Sequence, residues 1–398
     1  MEKRVSIVLV GINGYGLGYL NALLDGNPGL DYELIGVVEP FPEKCERLQE
    51  LHLRHIPIYP SLEQFYSEHT ADLAIVSSPI QYHCPQSCLA VSHGSDVLCE
   101  KPLCATVAEA QQMLEIQAKH NKWIAVGYQW SYSSVIQQIK RDIQSGVFGK
   151  PIRFKSLFLQ PRGRSYYNRN SWAGRIKDDQ GRWVYDSPVN NSFAHYLHNM
   201  FYLLGEQLDR SANLQDVTAE LYRAYPIENF DTAALVAHTD TDAEIRFYAT
   251  HACEKTVGPI FHFEFTDAVV KGEHKEGNLN LKAHFVEGRL VEYGRPDPDD
   301  MQKLWQCIKQ VKTGNSLACG VEAASSHTYC INAAQKSMPE IVDLPSNLIH
   351  ETGSADDQRI YMDGLDDILL RCYHDNVLPG DLGLDWAQRG NRIGISDM

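Results

Sequence analysis

The stretch "VSIVLVGINGYGLGYLNALL", residues 5 to 24, decides the fold. A nearly unbroken apolar run, Val5 to Val10, ends on glycines, and a helical pattern begins at once. An apolar strand without alternation needs cover on both faces, which is the habit of parallel sheets. Strand, tight turn and helix in that order suit a pyrophosphate. The first glycine makes the turn, a small second position lets backbone amides approach, and a third lets the helix pack on the strand. Gly11, Asn13 and Gly16 take those places, so asparagine replaces the central glycine. Asparagine tolerates left-handed backbone better than most residues, and Gly14 beside Tyr15 adds room.

Outward from this turn, "YELIGVV" (32 to 38), "LAIVSS" (73 to 78), "DVLC" (96 to 99) and "WIAV" (123 to 126) alternate with helical patterns. That alternation predicts a parallel sheet layered between helices. Capping boxes are predicted at Ser61 with Gln64 and at Thr106 with Glu109. The second strand ends in Glu39, whose carboxylate would accept hydrogen bonds from ribose hydroxyls and repel a 2'-phosphate, favouring NAD over NADP.

The third of the later runs leads into "LCEKPL", residues 98 to 103. Pro102 biases Lys101 toward extended backbone, at a strand end of the kind where open α/β sheets bind ligands. A lysine there could donate to a substrate oxygen and offset charge as an alcohol becomes alkoxide-like. The plainer reading is a surface lysine paired with Glu100.

Beyond about residue 128 the grammar changes to a helix, a strand "PIRFKSLFL", an irregular stretch to Pro188, another helix, and strands such as "AEIRFYAT" with period-2 alternation. Alternation indicates a sheet with one packed face. Helical patterns follow at about 299 to 313, 321 to 337 and 356 to 374. The expected organisation is an N-terminal Rossmann dinucleotide-binding domain, 1 to 127, of α/β class. A C-terminal α+β domain, 128 to 398, is expected on an open-faced, mostly antiparallel sheet.

Composition bounds the partners. The 398 residues exceed what one core usually serves. With 51 acidic against 36 basic residues, the net charge of -15 disfavours nucleic acid and anionic membranes. Ten cysteines lie scattered without zinc or redox spacing, which predicts reduced thiols in a cytoplasmic protein and no metal site.

"GINGYG", "SLEQFYSEHTADLAIVSSPIQYHCP", "CEKPL", "VGYQWSYS", "IQSGVFGKPIRF" and "HYLHNMFYLLG" occur in an order that resembles the Gfo/Idh/MocA oxidoreductases. The resemblance implies NAD or NADP as cofactor and a sugar, polyol or related hydroxy compound as substrate. It also implies association into a dimer or tetramer through the open sheet. Lys101 inherits the role of the lysine at the substrate, positioned by Glu100. Cofactor contacts are expected from Gly11, Asn13, Gly14, Tyr15, Gly16, Glu39, Ser78, Pro79, His83, Glu100, Lys101 and Gln129.

Family dehydrogenases often carry a pattern DxGxHxxD. The matching stretch here is Asn191-Ser-Phe193-Ala-His195-Tyr-Leu-His198, so only the histidine survives. Removing hydride from an alcohol carbon requires a base for the hydroxyl proton, a part for which histidine is suited near neutrality. His195 is therefore the expected acid/base and Asn191 its orienting neighbour, with Asp186 a candidate for the missing carboxylate. His195 and His198 are spaced to share a helix face. Between Gln160 and Pro188, Arg162, Arg164, Arg169, Arg175 and Arg182 interleave with Tyr166, Tyr167, Trp172, Trp183 and Tyr185. Guanidinium forks with aromatic faces suit an anionic or heavily hydroxylated ligand, and the plain alternative is a subunit-contact loop. The expected substrate contacts are Lys101, Arg162, Arg164, Trp172, Asp186, His195 and His198. Two other functions fit the same residues: a redox-assisted NAD-dependent glycosidase, and an NAD-binding regulator without catalysis.

Overall fold

The apolar runs of the N-terminal half pair side by side in the computed structural model, which describes residues 4–275, 278–296, 299–314, 317–354 and 357–397. Strands β1 (Val5–Val10), β2 (Tyr32–Val38), β3 (Ile58–Tyr59), β4 (Leu73–Val76), β5 (Asp96–Cys99) and β6 (Ile124–Val126) form one sheet. All its pairings are parallel. The order β3-β2-β1-β4-β5-β6 reverses direction between β1 and β4, and ligands of such sheets bind outside the carboxyl ends at that reversal. β3 is too short to leave a periodic signal in the sequence. At Thr106 the capping box forms in both directions, whereas at Ser61 only the hydroxyl half is made.

The chain divides into two units, Met1–Tyr132 with Asp299–Ser325 and Ser133–Pro298 with Ser326–Met398. The expected single boundary near 127 therefore needs correcting. The helix Gln302–Thr313 returns to the first unit, where its apolar residues Leu304, Cys307 and Ile308 are buried.

In the second unit, β7 (Pro151–Leu159), β8 (Leu214–Arg223), β9 (Thr232–Thr239), β10 (Glu244–Thr250), β11 (Val257–Phe265), β12 (Ala268–Lys275), β13 (Asn278–Leu279), β14 (Leu281–Phe285), β15 (Leu290–Gly294) and β16 (Val342–Asp343) belong to one mixed sheet. Its order is β15-β14-β12-β11-β7-β10-β9-β8-β16, mostly antiparallel, with β7 and β10 parallel at its centre. Alternation of buried and half-buried residues holds along β11 and β14. It fails on β7, where residues 154 to 159 are all buried. Opposite faces of a strand carry alternate residues. Phe158 packs on Phe193 and Tyr196 beside the helix Ala194–Leu204, while Lys155 donates to Tyr373 O at 2.7 Å on the helix Leu365–Asp375. The centre of the sheet is thus covered on both faces. The periodicity expected over 356 to 374 resolves into a strand, Asp357–Met362, before that last helix.

Candidate active site

Every expected cofactor contact lies at or just beyond the carboxyl end of a strand of the parallel sheet. Gly11 follows β1 with φ +82°, and a Cβ there would stand 2.8 Å from Ser77 O. A Cβ on Gly16 would stand 2.1 Å from Gly11 O, so the helix can begin this close only with glycine. The left-handed residue of the turn is Gly14, φ +55°, and Asn13 instead donates from Nδ2 to Phe41 O at 3.3 Å. Asparagine is therefore tolerated because its neighbour carries the unusual backbone. Ser77 Oγ is buried without a hydrogen-bond partner among the described residues, 3.5 Å from where a Gly16 Cβ would stand. A close-approach cradle with an orphaned hydroxyl fits a pyrophosphate. Glu39 accepts from Ile12 N–H at 3.2 Å and Phe41 N–H at 3.1 Å, which ties the end of β2 to the glycine turn.

The loop after β5 is built around Glu100, which is 5% exposed. Its Oε2 accepts from Lys101 N–H at 3.1 Å, and its Oε1 accepts from Tyr19 O–H at 2.5 Å and from the Lys303 ammonium. A Cβ on Gly127 would stand 2.6 Å from the same Oε1, so the carboxylate uses space that only glycine leaves. Lys303 comes from the returning helix and is 0% exposed. It also donates to Tyr15 Oη at 3.0 Å and Gly127 O at 3.3 Å. Burial favours the neutral forms of both partners. Each nevertheless keeps its charge, with Glu100 held below the usual carboxyl range and Lys303 above the usual amine range by their mutual attraction. The glycine turn, through Tyr15, and the Lys101 loop, through Glu100, are thereby joined on one ammonium.

His83 is buried, with Nδ1 2.7 Å from Pro102 O and Nε2 2.9 Å from Ser78 O. Burial lowers its pKa, so the neutral ring donates to one of these carbonyls and braces the two loops. Ser78 Oγ donates to Gln86 Oε1 at 2.6 Å, and Gln129 Nε2 donates to Asp300 Oδ1 at 3.1 Å. Tyr128 and Trp130 are buried core residues.

In the second unit, Asn191 lies in a turn of π-helix, Pro188–Ser192, just before the helix Ala194–Leu204 that carries His195 in its first turn. Asn191 Nδ2 donates to Asp186 Oδ1 at 2.7 Å. Asp186 is 1% exposed, and its other oxygen accepts from Gly174 N–H at 2.6 Å and faces Arg169 at 3.7 Å. A carboxylate thus stands beside Asn191, five residues earlier in the chain than the family pattern would put it. Phe193 occupies the pattern's glycine position at φ -114°, where no glycine is needed, and its ring packs on Phe158 and His251. His198 does not share the setting of His195. It is 0% exposed, stacked on Tyr202, and held neutral by burial and by the nearby His327 and Lys140. That placement makes it packing rather than a surface that substrate reaches, contrary to expectation.

The irregular stretch sorts its arginines. Arg164 pairs with Glu351, Arg175 with Asp179 and Arg182 with Asp178. Arg169 stacks on Tyr166, 3.8 Å from the ring centroid, and lies 5.3 Å from that of Trp172. Arg162 lies 4.9 Å from the same Tyr166 centroid and has no carboxylate partner among the described residues. Tyr166 Oη is 2.6 Å from Ser192 Oγ, next to Asn191. A cleft of about 930 Å³ bordered by Arg164, Tyr167, Asn170, Arg175 and Lys177 does not include Asn191 or His195. Among the described residues no group of three or more His, Cys, Asp or Glu side chains could hold a metal ion, and no helix is long and apolar enough to cross a membrane.

The model of an oxidoreductase family with an NAD-binding Rossmann fold, Gfo/Idh/MocA, matches residues 5–128. Inositol 2-dehydrogenase of Salmonella paratyphi B is 24% identical over 199 residues, 50% of this chain and 54% of that protein. Its counterpart from Burkholderia cenocepacia is 29% identical over 118 residues, 29% of this chain and 30% of that one. The chain thus spans about half the length of the first of these relatives and less of the second. An oxidoreductase from Agrobacterium radiobacter, solved with NAD+, L-tartaric acid and magnesium, is similar with TM-score 0.68 and 14% identity, over 85% of this chain and 97% of that one. The WlbA dehydrogenase of Bordetella pertussis, solved with NADH and UDP-GlcNAcA, gives 0.67 and 17%, over 84% and 97%. At these identities the structures share the fold.

Proposed function

The chain belongs to the Gfo/Idh/MocA oxidoreductase family and carries its NAD-binding Rossmann fold, and on that premise we propose that it is an NAD-dependent dehydrogenase of a sugar, polyol or sugar acid. The observation that carries the reading is the buried Lys303, whose ammonium meets both Tyr15 of the glycine turn and Glu100 of the Lys101 loop. A cofactor turn and a substrate lysine held by one ion pair suit a hydride transfer better than a turn that merely packs.

The residues divide the work as follows. Gly11, Gly14 and Gly16 leave backbone room for the pyrophosphate of NAD, and Glu39 is available to the adenosine ribose hydroxyls. Bound NAD supplies the hydride acceptor. Lys101 donates to the reacting oxygen and offsets the charge that develops there. His195 takes the hydroxyl proton, and Asn191, fixed by Asp186, orients the ring while the carboxylate favours its charged form. A carboxylate reached through asparagine supports catalysis rather than decay of the pattern, which favours the dehydrogenase over the regulator. The homologous inositol dehydrogenases support a polyol or sugar substrate. Self-association is assigned to the alternating strip of β11, β12 and β14, to be checked by the mass of the protein in solution.

The test follows NADH absorbance with inositols, aldoses and uronic acids. Lys101→Met should lower kcat by two orders of magnitude or more while NAD affinity stays within a factor of three. Turnover undiminished in Lys101→Met would remove the assignment.

A further inference from the structure

We propose that Arg162, with His251 and Arg169 around the ring of Tyr166, is the anchor for an anionic group on the sugar substrate, a carboxylate or a phosphate. The proposal rests on reading this unit as the substrate half and names the class of compound it selects. Arg162 follows β7 and His251 follows β10, adjacent parallel strands, so both leave the same edge of the sheet. Their backbones stay together there, with Gln160 N–H donating to Thr250 O at 3.0 Å. The His251 ring lies 5.1 Å from that of Tyr166, the ring that also carries both guanidiniums.

Two groups in this cluster have hydrogen-bonding capacity the protein leaves unused. Arg162 Nε is buried and makes no hydrogen bond among the described residues, although the other four arginines of the stretch each face a carboxylate. His251 is 1% exposed, and its Nε2 likewise has no partner among the described residues. Its Nδ1 lies 2.8 Å from the hydroxyl of Tyr167, a buried residue that makes no other hydrogen bond among the described residues. If Nδ1 donated, both the phenolic hydrogen and Nε2 would be stranded, so Nδ1 accepts and Nε2 carries the hydrogen. A neutral N–H donor and a guanidinium fork lacking its anion among the described residues therefore adjoin one aromatic ring. Buried donors are normally satisfied, and a fork of this kind matches planar carboxylate or phosphate oxygens. Tyr166 bonds Ser192, next to Asn191, so the anchor adjoins the turn that positions His195.

The experiment is calorimetric titration of the full chain, saturated with NAD so that the glycine turn cannot bind the probe, with glucuronate, glucose 6-phosphate, glucose and myo-inositol. At least one anionic sugar should bind tenfold or more tighter than glucose, and whichever does identifies the group as carboxylate or phosphate. Arg162→Gln should remove that preference while leaving the weak glucose binding and the Tm unchanged. Arg169→Gln, at an exposed guanidinium, should reduce it several-fold and serves if the first variant fails to fold. Equal binding of charged and neutral sugars by the wild-type protein overturns the anchor, as does a preference that survives in folded Arg162→Gln. NADH formation is read separately. Preference without NADH sinks the dehydrogenase and keeps the anchor, and NADH from neutral polyols without preference does the reverse.

Discussion

Lys303 shows what a single residue contributes to this site. A lysine with no exposed surface survives because Glu100, Tyr15 and Gly127 together satisfy its three N–H groups. Removing one member of a buried pair leaves the other charged and unpaired, typically at a cost of about 3–5 kcal/mol. Lys303→Met should lose stability of that order in denaturant titration, and adding Glu100→Gln should restore part of it. A loss within about 1 kcal/mol would mean that the ion pair contributes little beyond an apolar contact. Asp186 acts through another residue and is a positioning group. Asp186→Asn should lower kcat about tenfold and move the acidic limb of the kcat profile to lower pH, since on the proposed reading the carboxylate acts on the His195 imidazolium through Asn191, which it holds. An unchanged profile would assign Asp186 to holding Gly174 N–H alone.

At the scale of elements, the helix Val107–His120 is set by its first four residues. Thr106 Oγ1 accepts from Glu109 N–H at 3.3 Å, and Glu109 Oε2 accepts from Thr106 N–H at 2.8 Å and Ala105 N–H at 3.1 Å. This helix follows the Lys101 loop directly, so the cap fixes where the loop must end. Thr106→Ala should cost about 1 kcal/mol in equilibrium unfolding with no change in NAD affinity. A destabilisation no larger than that of an exposed control such as Ser67→Ala would show the cap to be incidental. Both the cap and the strands around it were legible in the sequence, because a capping box and an apolar run are local signals. The turn Pro188–Ser192 was not, since π-helical geometry has no period that composition reveals.

For the molecule as a whole, buried histidines set the response to acid. Burial lowers the pKa of His83, His198 and His251, and takes that of His262 to about 4. A depressed folded pKa contributes stability that is present above the unfolded value of about 6.5 and is lost as pH falls, because the unfolded chain takes up protons that the folded one refuses. Asp231 runs the other way, with burial raising its carboxyl to about 6, so its contribution is present below the ordinary carboxyl range and lost as pH rises through 6. Burial raises the carboxyls of Asp96, Glu109, Glu220 and Asp366 in the same sense, so it is within the histidine range that the four imidazoles predict a Tm that falls, from pH 7 to about pH 6. His198→Gln should flatten that slope, whatever it does to Tm at pH 7. A slope identical to wild type would mean that His198 titrates in the folded protein as it does in the unfolded chain.

The sequence by itself determined the parallel sheet, the glycine turn, the acidic end of β2 and the lysine loop, because each is written in residues that are neighbours in the chain. It also offered Asp186 as the missing carboxylate, being only five residues from Asn191. Tertiary structure alone decided that residues 299–325 fold with the first unit, that Lys303 reaches Glu100 across 203 positions, that Arg162 has among the described residues no carboxylate such as its neighbours have, and that His198 is sealed in the packing. Local sequence fixes backbone preference and apolar period, whereas the partner of a charge and the depth of a side chain depend on which distant segments the fold brings against it.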